Sequence, residues 1–283
     1  MKTLEEFASG HDSTGVIRWE PYLEKQIVEY VESNSVLRDF CEIYPLKGSF
    51  VASIPKSYST GNAVEIVEGE EIPSVRQVLG TVNVTVSQNG TAFEFSDESK
   101  LLDWFGNLIQ RELLEAAKRM LRKENADIMD TLVAGAGAGV DSQGDDVAIY
   151  EDLIDAATYI ESNHYLKADT VFVNPVEYGD LVKDTRFLLY SGSNSTAPYR
   201  DGTLGGNIAG LNVVKLPEVP PKTVIVAAMD ERPLWLVVFQ ETKIETFRIP
   251  DRRHTKVQLN AYVKPVVLKP EALRLINIVP KIP

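Results

Sequence analysis

The sequence predicts an α+β fold. One helical pattern of unusual length runs from residue 97 to about residue 132, and short strand-like runs gather before it and again towards the C-terminus. A glycine-rich, acidic stretch at 132–146 stands between these halves and reads as a joint. At 283 residues the chain has room for one large or two small domains.

The long helix organises the rest. Ser96 can act as its N-cap, and Asp97 and Glu98 sit where the positive end of the helix dipole favours carboxylates. Leu101, Trp104, Phe105, Leu108, Ile109, Leu113, Ala116, Ala117 and Met120 recur at three- and four-residue steps and share one face. The other face carries Arg111, Glu115, Lys118, Arg119, Arg122 and Lys123, with Glu115 four residues before Arg119 as an expected pair. Gly135 is the expected left-handed stop. Such a helix spans roughly 50 Å, the length of a strut.

Ahead of it, residues 1–15 are polar and read as an arm, and a helical stripe of Tyr22, Leu23, Ile27, Tyr30, Val31 and Leu37 covers residues 19–40. FVASIP (50–55) and AVEIVEG (63–69), joined by KSYSTGN, read as a hairpin that buries little in its own subunit. Glu65, Glu68, Glu70 and Glu71 crowd that hairpin. TVNVTVSQNGTAFEF (81–95) follows, and Asn89-Gly90 predicts a hairpin turn because both central residues need positive φ.

After the joint come a helix at 151–163, with Leu153, Ile154, Ala157 and Ile160 inward, and a buried strand in ADTVFVNP (168–175). Asn174-Pro175 then opens a short helix, VEYGDLVKD. Residues 190–207 are a Ser/Gly/Asn/Thr-rich surface loop. Strands are expected at LNVVKLP, TVIVAA, LWLVVF, KIETFRI and TKVQLNAYV, the last two forming a hairpin with the basic tip PDRRH. KPEALRLINIVP ends the chain as a helical turn and a strand.

The formal net charge of −12 argues against a protein that grips nucleic acid through phosphates, and it suits a soluble surface that must not stick to itself at random. Cys41 is the only cysteine, so no intrachain disulfide or Cys-based metal site forms. The first residues lack the apolar core of a signal peptide and no apolar run is long enough for a transmembrane helix. A reducing, cytoplasmic setting is expected, and the sequons at Asn83, Asn89 and Asn194 read as accidental. His11, His164 and His254 have no carboxylates at metal-ligand spacing, and Cys41 has no identifiable base. GTLGGNIAG departs from the dinucleotide fingerprint, and the glycine joint lacks the Lys-Ser/Thr of a P-loop. No catalytic residues, cofactor or metal are expected.

TVFVNPVEYGDLVKDTRFL, GTLGGNIAGLNVV and the KPEALRLINI ending, in this order and spacing, resemble the Hong Kong 97-type major capsid proteins of tailed viruses, whose fold encapsulin shells share. The resemblance implies an N-terminal arm (1–45), an extended hairpin loop (46–80), and a peripheral domain with the spine helix (81–133). It further implies an axial domain (134–231), peripheral return strands (232–264) and an axial C-terminal segment (265–283). The implied function is structural: self-assembly through pentamers and hexamers into an icosahedral shell around double-stranded DNA, in the virion, assembled in the host cytoplasm. The implied partners are copies of itself, with scaffold, portal or cementing proteins as further candidates, DNA without sequence-specific contacts, and no membrane. Any scaffold is expected as a separate chain. An encapsulin-like compartment around a cargo enzyme stays open, as do an enzyme with an unrecognised site and an assembly chaperone. In the family the hairpin loop lies over a neighbour's peripheral domain. Glu65, Glu68, Glu70 and Glu71 are therefore expected to dock on a neighbour's Arg252, Arg253 and Lys256, or on its Arg119, Arg122 and Lys123.

Overall fold

The structure, a computed structural model, describes residues 35–58, 78–96, 98, 107–143, 147–183, 207–208 and 210–279. The expected arm helix before residue 35, the acidic hairpin segment, the start of the long helix and most of the 190–207 loop lie outside the described residues. The described strands are β1 (Glu42–Pro45), β2 (Val51–Tyr58), β3 (Val78–Thr85), β4 (Ser87–Ser96), β5 (Val140–Asp141), β6 (Thr170–Val173), β7 (Asn207–Ile208), β8 (Leu211–Lys215), β9 (Thr223–Ala227), β10 (Leu234–Ile249), β11 (His254–Val267) and β12 (Leu273–Asn277). The helices are α1 (Asn107–Gly135), α2 (Tyr150–His164) and α3 (Pro175–Lys183). The strands form a four-stranded sheet, β1-β10-β11-β4, a six-stranded sheet, β5-β12-β9-β6-β8-β7, and the ribbon β2-β3. This is the α+β architecture expected of the sequence.

The chain divides into two compact units, the first made of residues 1–39, 87–127 and 240–263, the second of 40–86, 128–239 and 264–283. In the first, the predicted inner face of α1 is realised: Leu113, Ala116, Ala117 and Met120 are buried against Ile244, Val257, Leu259 and Ala261, with Phe93 and Phe95 at the margin. LWLVVF and KIETFRI, expected as two strands, are one strand of 16 residues.

Asn89-Gly90 makes no turn. Both residues lie inside β4, opposite Ala261 and Asn260 of β11. Gly90 is required there for close approach: a Cβ would stand 2.7 Å from Asn260 Oδ1. Asn89 donates its side-chain N–H to Asp127 Oδ2 at 3.0 Å. The pattern that signals a type I′ turn here serves cross-strand packing.

The second unit has its core between α2, α3 and the six-stranded sheet, where Leu153, Ile160, Val171, Val173, Val226 and Ile276 are buried. α2 turns Ala156 inward and leaves Ile154 41% exposed, correcting the predicted face by two residues. α2 ends where Tyr165, at φ 57, donates its N–H to Glu161 O. Asn174 Oδ1 accepts the Val176 N–H at the start of α3, as its position before Pro175 implies. The expected partner of FVASIP also changes. β2 pairs with β3, Ala52 opposite Val84 and Ile54 opposite Val82, instead of with residues 63–69. Ala52, Ile54 and Val84 are almost wholly buried, so the base of this ribbon is anchored in its own subunit.

The glycines after α1 serve contact more than freedom. Gly135 remains helical, and the positive φ of 71° falls at Gly137. A Cβ on Gly135 would stand within 2.7–2.9 Å of three side-chain atoms of Val267. One on Gly139 would meet the Asn277 amide at 2.5–2.9 Å. β5 then pairs in parallel with β12, tying this stretch into the sheet. Asp152, buried at the start of α2, accepts the Ser142 hydroxyl and, at 2.9 Å, the Gln143 N–H. Because the β-branched Val267 has few rotamers to yield with, Gly135→Ala is expected to lose about 1–3 kcal/mol by overpacking. Urea unfolding of the dissociated subunit measures it, and Gly137→Asn, where φ is positive and nothing lies within 4 Å, serves as the tolerated control.

Candidate assembly surfaces

The predicted contact residues sort into three groups. Glu65, Glu68, Glu70 and Glu71 lie outside the described residues. The α1 cluster is largely engaged within its own helix. Lys123 pairs with Asp127 at 2.5 Å. Arg119 Nε donates to the Glu115 carbonyl at 3.3 Å, while the Glu115 carboxylate takes Lys118 at 2.6 Å. The expected Glu115–Arg119 ion pair is thus a Glu115–Lys118 pair, one residue closer along the helix. The Lys118 hydrogen bond and charge, with Arg122 and Arg119 adding to them, hold the Glu115 carboxyl below the usual carboxylate range. The stabilisation this gives is present above the ordinary carboxylate pKa and is lost as pH falls through the lowered one. Arg122 is exposed.

The third group stands at the β10–β11 tip. Pro250 opens a 3-10 turn, Pro250–Arg252, and Arg253 closes it at φ 52 with its N–H on Pro250 O. Proline supplies the fixed φ that starts such a turn. Arg252 and Arg253 are exposed, and among the described residues neither makes an ion pair. Lys256 is half-buried, directly across from Glu94 of β4 in the antiparallel register. The structure therefore separates the two predicted basic clusters: the helix charges are used internally, and the two tip arginines are available.

A buried ion pair escaped the sequence reading. Arg38, just before the second unit begins, is 7% exposed. Its Nε donates to Glu124 Oε1 at 2.6 Å and its Nη2 to Glu124 Oε2 at 2.9 Å, while Nη2 also reaches Glu241 Oε2 at 3.1 Å. Burial disfavours the charged guanidinium, but the hydrogen bonds and charges of Glu124 and Glu241 outweigh it and raise its pKa above the ordinary value. A signal was present: Glu124 continues the buried series Leu113, Ala116, Ala117, Met120 at helical spacing, and a carboxylate on an apolar stripe demands a cation.

No group of three or more His, Cys, Asp or Glu side chains among the described residues is arranged to hold a metal ion, and no described helix is long and apolar enough to cross a membrane. Lys56 and Asn260, which the family resemblance raised as a cross-linking pair, stand on β2 and β11. Asn260 is buried, its Oδ1 accepting from Gln258 Nε2 at 2.9 Å.

A long helix packed on long returning strands, beside a second unit built on a six-stranded sheet, is the fold of Hong Kong 97-type shell proteins, shared by phage capsids and encapsulins. The model of the phage capsid protein family matches residues 78–276, and the chain belongs to that family. It is a structural capsid protein. Among solved structures, the capsid protein of cyanophage P-SCSP1u is 12% identical with a TM-score of 0.69, covering 87% of this chain and 89% of its own. The holo-SrpI encapsulin complex from Synechococcus elongatus PCC 7942 gives 11% identity and a TM-score of 0.65 over 99% and 96% of the two chains. The virus-like particle from Pyrococcus furiosus gives 13% identity and 0.62 over 92% and 100%. No curated protein matches the sequence.

Removing Arg38 alone leaves Glu124 charged and buried. Arg38→Met is expected to cost about 3–5 kcal/mol, and Arg38→Met with Glu124→Leu to recover most of it. Chemical denaturation of the dissociated subunit, compared across the cycle, gives both values.

Proposed function

We propose that this chain is the major subunit of an icosahedral shell, built through pentamers and hexamers, that encloses the double-stranded DNA of a tailed virus. The observation that carries the reading is the family match along residues 78–276. In this reading residues 81–133 and 232–264 form the peripheral domain, 134–231 and 265–283 the axial domain, and 1–45 and 46–80 reach neighbouring subunits. The subunit assembles in the host cytoplasm, has no catalytic duty, and meets scaffold, portal or cementing proteins as separate chains. Its acidic balance of −12 suits a shell that holds DNA without gripping it. A second reading, a compartment around a cargo enzyme, is favoured by the encapsulin likeness covering 99% of this chain and 96% of the other. Electron microscopy of purified particles, with nucleic-acid and protein content measured on the same sample, decides. Closed shells are expected. A stable monomer at high concentration under every ionic condition overturns both readings, and a shell loaded with one foreign protein selects the second.

Within the shell, Glu65, Glu68, Glu70 and Glu71 of one subunit dock on Arg252 and Arg253 of a neighbour, with Lys256 beside them. The exposure of the two tip arginines supports this choice over Arg119, Arg122 and Lys123. Each exposed pair contributes only about 0.2–1 kcal/mol, repeated at every subunit. The Debye length falls from about 10 Å at 0.1 M salt to about 3 Å at 1 M, so the seam weakens with salt. Arg252→Glu with Arg253→Glu is expected to lower the salt concentration and temperature at which particles dissociate while the subunit stays folded. Light scattering during salt titration follows this, and particles as resistant as the parent refute the docking.

A further inference from the structure

We infer that the free edge of β4 is a self-pairing seam, where β4 of one subunit pairs antiparallel with β4 of a second copy across a two-fold axis and joins two sheets into one. The inference rests on the reading that this chain assembles with itself.

The two edges of the four-stranded sheet are unlike. β1 is four residues long, carries Pro45, and is flanked by the Glu42–Arg232 ion pair. Short length, proline and charge are the devices that keep a sheet edge from recruiting another strand. β4 is ten residues long, contains no proline and no lysine, and has Glu94 as its one charge. All ten of its residues are paired with β11 on one side, and it ends the sheet on the other. An edge of this length without protection presents a row of unpaired backbone groups to a partner strand.

The occupant follows from the pattern on the strand. Gln88, Gly90, Ala92 and Glu94 are exposed, whereas Asn89, Thr91, Phe93 and Phe95 are half-buried, the two phenylalanines against the α1 core. Directly opposed residues of an antiparallel pair lie on one face, and a slip of one residue would turn both phenylalanines to solvent. A two-fold axis through Thr91 satisfies this. It sets Thr91 against Thr91, Gly90 against Ala92, and Gln88 against Glu94. The Gln88 amide can then donate to the carboxylate, and Glu94 avoids its own copy, which like charges directly opposed would not tolerate. An axis through Ala92 leaves Glu94 opposite Gly90 and without a donor. The strand thus complements itself in one register.

Two opposed residues at such an axis have Cα atoms about 4.5–5.5 Å apart, within the range a disulfide spans. With Cys41→Ser removing the native thiol, Thr91→Cys is expected to give disulfide-linked subunit pairs in oxidised particles. Ser87→Cys, far from the axis, is expected to give none. In the unsubstituted protein, deuterium uptake of the 87–96 peptide is expected to fall on passing from dissociated subunits to particles. Particles that assemble with Thr91→Cys unlinked overturn the seam, as does equal uptake in both states. Reduced uptake without the cross-link also overturns it, because another segment then covers the edge. If Thr91→Cys fails to assemble, the exchange measurement on the parent decides. Failure of the parent itself to form particles strikes the shell reading instead.

Discussion

A long amphipathic helix can stand only if something of equal reach covers its apolar face, and the first unit is built to that constraint. Its 21 residues of α1, 107–127, span about 31 Å at 1.5 Å per residue, while the ten residues each of β4, 240–249 and 254–263 span about 33 Å. The lengths agree, so helix and sheet end together and little apolar surface is left over. Ala116 and Ala117 at the centre of the contact let the helix lie close on Leu259 and Ala261. Without these strands the helix would rely on intrinsic propensity, which rarely holds a segment of this kind in water.

Against this apolar contact, the Arg38 pair contributes definition more than strength. Desolvating a guanidinium and a carboxylate consumes most of what their attraction returns. Two parallel hydrogen bonds to Glu124 and a third to Glu241, however, fix where residue 38 must lie along α1 and β10. A leucine at the same place could slide by a turn at small cost. The chain that leads into the sheet is thereby set in register before β1 begins.

Much of this was legible in the sequence because it obeys local periodicity. The inner face of α1, the buried strand Thr170–Val173, the proline-led α3 and the arginine-tipped hairpin each follow from spacing that a few residues carry by themselves. Three things were not legible, and each depends on a partner distant in the chain. Gly90 and Gly135 read as turn and stop, but their lack of a side chain answers Asn260 and Val267. The strand Val51–Tyr58 found its partner at 78–85 instead of at the nearer candidate, since strand pairing carries no label of distance. Of the expected contact residues, the basic ones on α1 looked available because composition cannot reveal that Asp127 and the Glu115 carbonyl already hold two of them. The two tip arginines lack any such neighbour, which proline and a left-handed closing residue ensure by turning the chain sharply.

The contact between Gly135 and Val267 also bears on how this sequence can drift. Any side chain at 135 would occupy the volume of the valine, so the two positions are not free to vary singly. A change at 135 is accessible only after 267 has become smaller, and a chain that has lost the valine pays with a void until 135 grows. The order in which the two substitutions arise therefore matters. The end of the long helix is held constant less by what each residue does than by the narrow path through which the pair can be exchanged.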